Sequence, residues 1–175
     1  MMPERPKKIL IEPIQAVQLN VNRSPDVMSI IQQEYIRNTD ILLYQEPAFS
    51  RSTLPQHRFL TPKIPGFTTV LPIPIDQLRA PPANRVPRVM AYALERNDVI
   101  VVPRYDICLD HDIEIQQRPH KPILVVNIYD PPSGSTGAHS TGQRLKLLDL
   151  PDTSPTTIAG DFNLHHPDWE EVMHV

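Results

Sequence analysis

Thr157-Ile158-Ala159-Gly160-Asp161-Phe162-Asn163-Leu164-His165-His166 is the stretch on which the reading of this chain turns. A short apolar run breaks at a glycine into a carboxylate, a carboxamide and two imidazoles. Gly160 carries no Cβ and so lets backbone or ligand come close. Asp161 and Asn163 are two residues apart, so a continued extended backbone projects both to one side. A carboxylate and a carboxamide placed together can hold a cation or a water and donate to a phosphate oxygen. The same two residues also suit an Asx-turn that ends a strand. The stretch alone leaves both readings open.

The length of 175 residues fits one domain, read as residues 14–175, with 1–13 a loose, basic, proline-containing lead-in. A chain of this size buries roughly 70% of its unfolded surface, enough for a real core. Twenty-one prolines are more than twice the usual share of about 5%. They fall mostly between apolar runs and imply many rigid connections. The net charge of −3 argues against a general polyanion binder. The single cysteine, Cys108, excludes an internal disulfide and suggests a reducing compartment. No apolar run approaches a membrane span and no secretory apolar region opens the chain, so an intracellular protein without a membrane partner is expected.

Residues 14–21 read as a first strand with Asn20 at its carboxyl end. Ser24-Pro25-Asp26 then starts a helix, with Ser24 as N-cap and Pro25 at the first helical position. Val27, Ile30, Ile31 and Tyr35 recur at helical spacing as one apolar face, and Asn38 suits the C-cap. Asp40-Ile41-Leu42-Leu43-Tyr44 is a second strand, followed by Gln45-Glu46-Pro47. Strand, helix and strand within about 30 residues make a βαβ unit, which requires parallel strands. Asn20 and Glu46 then share the carboxyl end of a sheet, where ligands bind in open α/β folds. A carboxylate just after a buried strand needs a partner, which a cation or solvent can supply.

Residues 49–88 are proline-rich and weakly periodic. Arg51, Arg58, Lys63, Arg79, Arg85 and Arg88 stand there against Asp76 alone. Such a basic segment suits a phosphate backbone, or is a solvated connection with a chance bias. Residues 89–93, 99–102, 112–116 and 123–129 read as strands, the third alternating in polarity and the last ending in Asn127-Ile128-Tyr129. Residues 141–150 read as a helix with Leu145, Leu147 and Leu148 inward, and 167–172 as a helical turn. No repeat, zinc spacing, Gly-rich phosphate loop or Gly-x-Ser-x-Gly is present.

Taken together, Gln18-Leu19-Asn20, Leu43-Tyr44-Gln45-Glu46, Asn127-Ile128-Tyr129-Asp130-Pro131 and Gly160-Asp161-Phe162-Asn163 resemble the endonuclease/exonuclease/phosphatase superfamily. The wording is most similar to the endonuclease domain of fungal non-LTR retrotransposons, in Leu19-Asn20-Val21-Asn22-Arg23-Ser24 and Gly-Asp-Phe-Asn-Leu-His-His-Pro-x-Trp. The resemblance runs from residue 14 to about Trp169. It implies an α/β fold: a four-layered sandwich of two mixed sheets. It implies a Mg²⁺-dependent phosphodiesterase, with Mn²⁺ an alternative ion, that nicks DNA. In that case Glu46 holds the metal with Asn20 beside it, Asp161 orients the attacking water, Asn163 donates to the phosphate, and Tyr129 contacts the phosphate or the leaving oxygen. Arg51, Arg58, Arg85 and Arg88 are the candidate DNA contacts. A reverse transcriptase in the full-length element and a nuclear location follow from the same resemblance. His165 and His166 match the fungal wording but lack a third ligand at metal spacing, and a structural or surface role is expected. Trp169 is expected to pack the end of the segment.

The family pattern continues into a later Asp and a Ser-Asp-His signature that do not occur before Val175. The resemblance therefore implies a C-terminally truncated domain with an incomplete sandwich and impaired activity. Two alternatives stay open: a non-catalytic remnant or nucleic-acid-binding module, and a lipid or inositol phosphodiesterase of the same superfamily.

Overall fold

The computed structural model describes residues 13–51, 59–75, 77, 86–96, 101–117, 123–131 and 140–163. The first strand, β1 (Ala16–Asn20), leads into helix α1 (Pro25–Tyr35) and then β2 (Ile41–Gln45). Ser24 caps the helix by accepting from the Val27 N–H at 3.2 Å, and Pro25 fills a position whose N–H would have no partner. β1 and β2 are parallel, in register from Ala16 opposite Ile41 to Asn20 opposite Gln45. A short hairpin follows, β3 (Ser50–Arg51) with β4 (Phe59–Leu60). Strands β5 (Phe67–Val70) and β6 (Val89–Leu94) complete the first sheet in the order β1-β2-β6-β5. The β2–β6 and β6–β5 pairs are antiparallel.

The second sheet repeats this plan. β7 (Val102–Pro103) and β8 (Ile113–Gln117) are antiparallel, as are β8 and β9 (Leu124–Tyr129). A crossover through helix α2 (Thr141–Leu145) then returns the chain as β10 (Thr156–Asp161), parallel to β9. The order is β10-β9-β8-β7. The chain is thus α/β, with two mixed sheets of four strands and few helices.

Side-chain alternation explains the packing. On β2, Leu42 and Tyr44 face α1 and pack with Met28 and Ile31, while Ile41 and Leu43 face the other way. On β9, Leu124, Val126 and Ile128 pack with Leu145 and Leu148 of the α2 region, while Val125 joins Ile41 and Leu43. Ala159 of β10 belongs to the same central cluster. One apolar layer therefore lies between the sheets, and one lies under each helix. The same parity places Gln18, Gln45 and Asn127 on the facing sides of the two sheets.

Four expectations need correction. Helix α1 buries Met28 and Ile31, whereas Val27, Ile30 and Tyr35 stay largely exposed. The buried turn at Val21 and the contact of the Met28 sulfur with the Ala48 N–H, 3.1 Å, set a phase that spacing cannot give. The helix also gives way to a 3-10 turn at Ile36–Asn38, so Asn38 closes that turn and not α1 itself. Helix α2 ends at Leu145, and Leu147 is 81% exposed although Leu145 and Leu148 pack inward. β8 is buried on both faces from Ile113 to Gln116 instead of alternating, because it lies between two other strands and under both apolar layers. Of residues 99–102, 99 and 100 lie outside the described set. Among the described residues, no helix is long and apolar enough to cross a membrane.

Candidate functional site

β1, β2, β9 and β10 end together, because two parallel pairs face each other across the central layer. Backbone bonds draw the ends in: Val21 N to Gln45 O at 3.0 Å in one sheet, Asp130 N to Asp161 O at 2.7 Å in the other. Side chains then bridge the sheets. Asn20 Nδ2 donates to Asp161 Oδ2 at 2.6 Å, and Asn20 Oδ1 accepts from the Asn22 N–H at 2.8 Å. Asp161 Oδ1 accepts from the Asn163 N–H at 3.2 Å. Asn163 Nδ2 donates to the Asp130 carbonyl at 2.6 Å. Tyr129, 6% exposed, lies against Glu46 and within the field of Asp161.

Asp161 and Asn163 do come together, but not by strand alternation. β10 runs through Gly160 and stops at Asp161, and Asn163 turns to φ +42°. The pair is an Asx-turn closed by the Asp161 carboxylate, whose second oxygen reaches Asn20. Turn and site are therefore the same object. Gly160 does not break the strand; it is required by close approach. A Cβ there would sit 2.1 Å from the Ile128 carbonyl oxygen.

Left-handed backbone marks the same loops. Asn22 (+46°), Arg23 (+57°), Glu46 (+47°) and Asn163 (+42°) are the non-glycine residues with positive φ among those described. Asn tolerates this conformation, but for Arg23 and Glu46 it costs on the order of 1 kcal/mol each. Surrounding bonds hold it: the Glu46 N–H donates to Arg88 O at 2.7 Å, and the Glu46 carbonyl accepts from the Arg23 N–H at 2.7 Å. The Glu46 carboxylate is mostly buried and lies 3.4 Å from the Arg23 guanidinium, which is 69% exposed.

The Tyr129 hydroxyl is pushed above its ordinary range. Burial is the main cause, and the charge and hydrogen bond of Glu46 add to it, with Arg88 opposing. It is a donor at neutral pH. The Arg88 guanidinium lies 5.0 Å from the centre of the Tyr129 ring. Behind the site, Gln45, Asn127 and Glu114 form a buried polar seam. Gln45 Nε2 donates to Asn127 Oδ1. Asn127 Nδ2 faces the Tyr44 and Met90 carbonyls at 3.3 and 3.1 Å and Glu114 Oε2 at 3.1 Å. Burial raises the Glu114 carboxyl to about 8, so it is mostly protonated at neutral pH.

All five residues read as the metal and phosphate set thus gather at one end of the two sheets. Of the candidate DNA contacts, Arg58 and Arg85 lie outside the described residues, as do His165, His166 and Trp169, and of Arg51 only the backbone in β3 is described. Arg88 is described, and its guanidinium is bound to Asp112. Among the described residues, no three His, Cys, Asp or Glu side chains form a metal cluster. The donors at hand are two carboxylates and a carboxamide. These hard oxygens fit Mg²⁺, which keeps most of its waters and needs only one or two protein ligands. Sequence reasoning gave no role to Gln45 or Asn127, although strand parity could have found both. It also gave no role to Arg23 and Asp130, which stand inside the quoted motifs, and missed Asp112 and Arg144, for which no local signal exists. No protein-family model matches the chain, and no curated protein is detectably similar to it.

Proposed function

We propose that this chain is a divalent-metal-dependent phosphodiesterase domain with impaired DNA-nicking activity, of the endonuclease/exonuclease/phosphatase type and akin to the endonucleases of fungal non-LTR retrotransposons. The observation that carries the proposal is the meeting of Asn20, Glu46, Tyr129, Asp161 and Asn163 at one end of the facing sheets. The order α1, first sheet, second sheet, α2 supports a four-layered sandwich. Such a nuclease would work in the nucleus beside a reverse transcriptase.

Glu46 and the Asn20 oxygen would hold Mg²⁺ or Mn²⁺, which supplies neutralisation of charge on the phosphate. The chain's own groups do the rest. Asp161 is anchored by Asn20 and by the Asn163 N–H, and its remaining lone pairs can orient a water. One N–H of the Asn163 amide is committed to Asp130, which leaves the other to donate to a phosphate oxygen. Tyr129, kept protonated and hydrogen-bonded to Glu46, would turn its single O–H from that carboxylate to donate to the phosphate or to the departing oxygen.

Conversion of supercoiled plasmid to the nicked form tests this. Nicking should need Mg²⁺ and stop with chelator, and Asp161→Asn should lower it about 10²-fold or more. Metal-independent nicking, or full activity in Asp161→Asn, would reject the proposal. Hydrolysis of sphingomyelin or inositol phosphates with plasmid left intact would move the substrate from DNA to lipid.

A further inference from the structure

We propose that Arg88 is a positioning residue for Tyr129: a clamped guanidinium that holds the tyrosine ring in the site, not a free contact for DNA phosphate. This rests on the phosphodiesterase proposal above. Arg88 is two-pronged. Its Nε and Nη2 donate to the two oxygens of Asp112 at 2.6 and 2.7 Å. Asp112 is nearly buried and is also bound by Arg144 Nη2 at 2.7 Å. Arg144 Nη1 in turn grips both oxygens of Asp110, at 2.8 and 2.6 Å. Two arginines and two aspartates alternate, so the chain of charges is neutral and has little pull left for a phosphate. A planar guanidinium held along its Nε–Nη2 edge is fixed in orientation, and its central carbon lies over the Tyr129 ring, 5.0 Å from the ring centre.

The same network grips the Tyr129 backbone. The Tyr129 N–H donates to Asp112 O at 2.9 Å. The Tyr129 carbonyl accepts from Thr141 Oγ1 at 2.9 Å, and that hydroxyl accepts from Arg144 Nη2 at 2.8 Å. Arg88 also reaches the other side of the site, since its carbonyl takes the Glu46 N–H at 2.7 Å. One residue therefore ties the strained Glu46 turn of the first sheet to the tyrosine of the second. Lysine could supply the charge but not the fork.

A pair of double-mutant cycles tests this. The first reads Mg²⁺-dependent plasmid nicking by wild type, Arg88→Met, Tyr129→Phe and the double variant. Arg88→Met should cut the turnover rate about tenfold or more, as expected for a displaced reacting group, with DNA affinity and its salt dependence kept. In the Tyr129→Phe background the same change should cost little, because the hydroxyl it positions is gone. Arg88→Lys should behave like Arg88→Met. Equal losses in both backgrounds, or weaker DNA binding with a salt slope reduced by about one, would make Arg88 a phosphate contact and overturn the proposal. The second cycle reads thermal unfolding without metal, for Arg88→Met, Tyr129→Leu and both. The losses in Tm should not add, and additive losses overturn the brace. Because this cycle needs no activity, a wild type that fails to nick rejects the phosphodiesterase proposal without deciding the brace.

Discussion

Glu114 should make stability depend on pH in a window where an ordinary glutamate would not. Its side chain is 1% exposed, between the sheets, and burial moves its carboxyl from 4.5 to about 8, with the Asn127 amide working in the opposite direction. The folded state keeps the proton in this interval, and the unfolded chain has already released it. Unfolding therefore releases a proton, and stability falls as pH rises, by about 1.4 kcal/mol per pH unit. The contribution of the neutral acid is fully present below pH 4.5 and is lost by the time pH passes about 8. The accumulated loss is on the order of 5 kcal/mol, a large share of the stability of a small domain. Glu114→Gln keeps the volume and a carbonyl for Asn127 but cannot ionise. With a urea m-value of about 2 kcal/mol/M, the wild-type midpoint should drop by about 0.7 M per pH unit relative to the variant between pH 5 and 8. Urea unfolding of both proteins at pH 5, 6, 7 and 8 measures it directly. Parallel slopes would show that Glu114 is ionised in the fold and that the seam carries a charge.

Gly160→Ala should destabilise the fold by about 3 kcal/mol, since the new methyl meets the Ile128 backbone and must push β10 from β9. An unchanged Tm would refute the close approach. Mg²⁺ should raise the melting temperature of the wild type, and Glu46→Gln should remove most of that gain; an equal rise in both would exclude Glu46 as a ligand. DNA binding, if the basic segment contributes, should weaken steeply as salt increases, and a flat salt profile in a fluorescence-anisotropy titration would remove the segment from the interface.

What the sequence revealed was local. The first βαβ unit is written in Ser24, Pro25 and the apolar run of β2, and each of those signals acts within a few residues of itself. The strand ends at Asn20, Tyr129 and Asp161 follow from the same kind of reading. Phase was less legible. Val27 and Ile30 have the spacing of a buried face, but the turn at Val21 rotates Met28 and Ile31 into the core instead. Leu147 likewise sits at helical spacing beyond the point where α2 ends. The least legible parts are side-chain partnerships between elements that no motif links. Strand parity sets Gln45 and Asn127 on facing sides of the sheets but does not pair them across 82 positions, and nothing local pairs Arg144 with Asp112 across 32.

Those distant partnerships explain how a site can be built from strand ends at all. A strand end is a weak platform, since the chain leaves the sheet there and gains conformational freedom. In this molecule each end is tied down from behind and from the side. Gln45 and Asn127 are neutral amides with 0% exposure that fix one sheet against the other immediately behind Glu46 and Tyr129. Arg88 and Asp112 hold Tyr129 laterally, and Asn20 holds Asp161 across the gap. Left-handed turns at Arg23, Glu46 and Asn163 persist because these bonds over-determine them. The polar groups nearest the site can then present carboxylate, amide and hydroxyl to a ligand with little reorganisation. Such preorganisation is what the proposed phosphodiesterase would need to stabilise its transition state electrostatically.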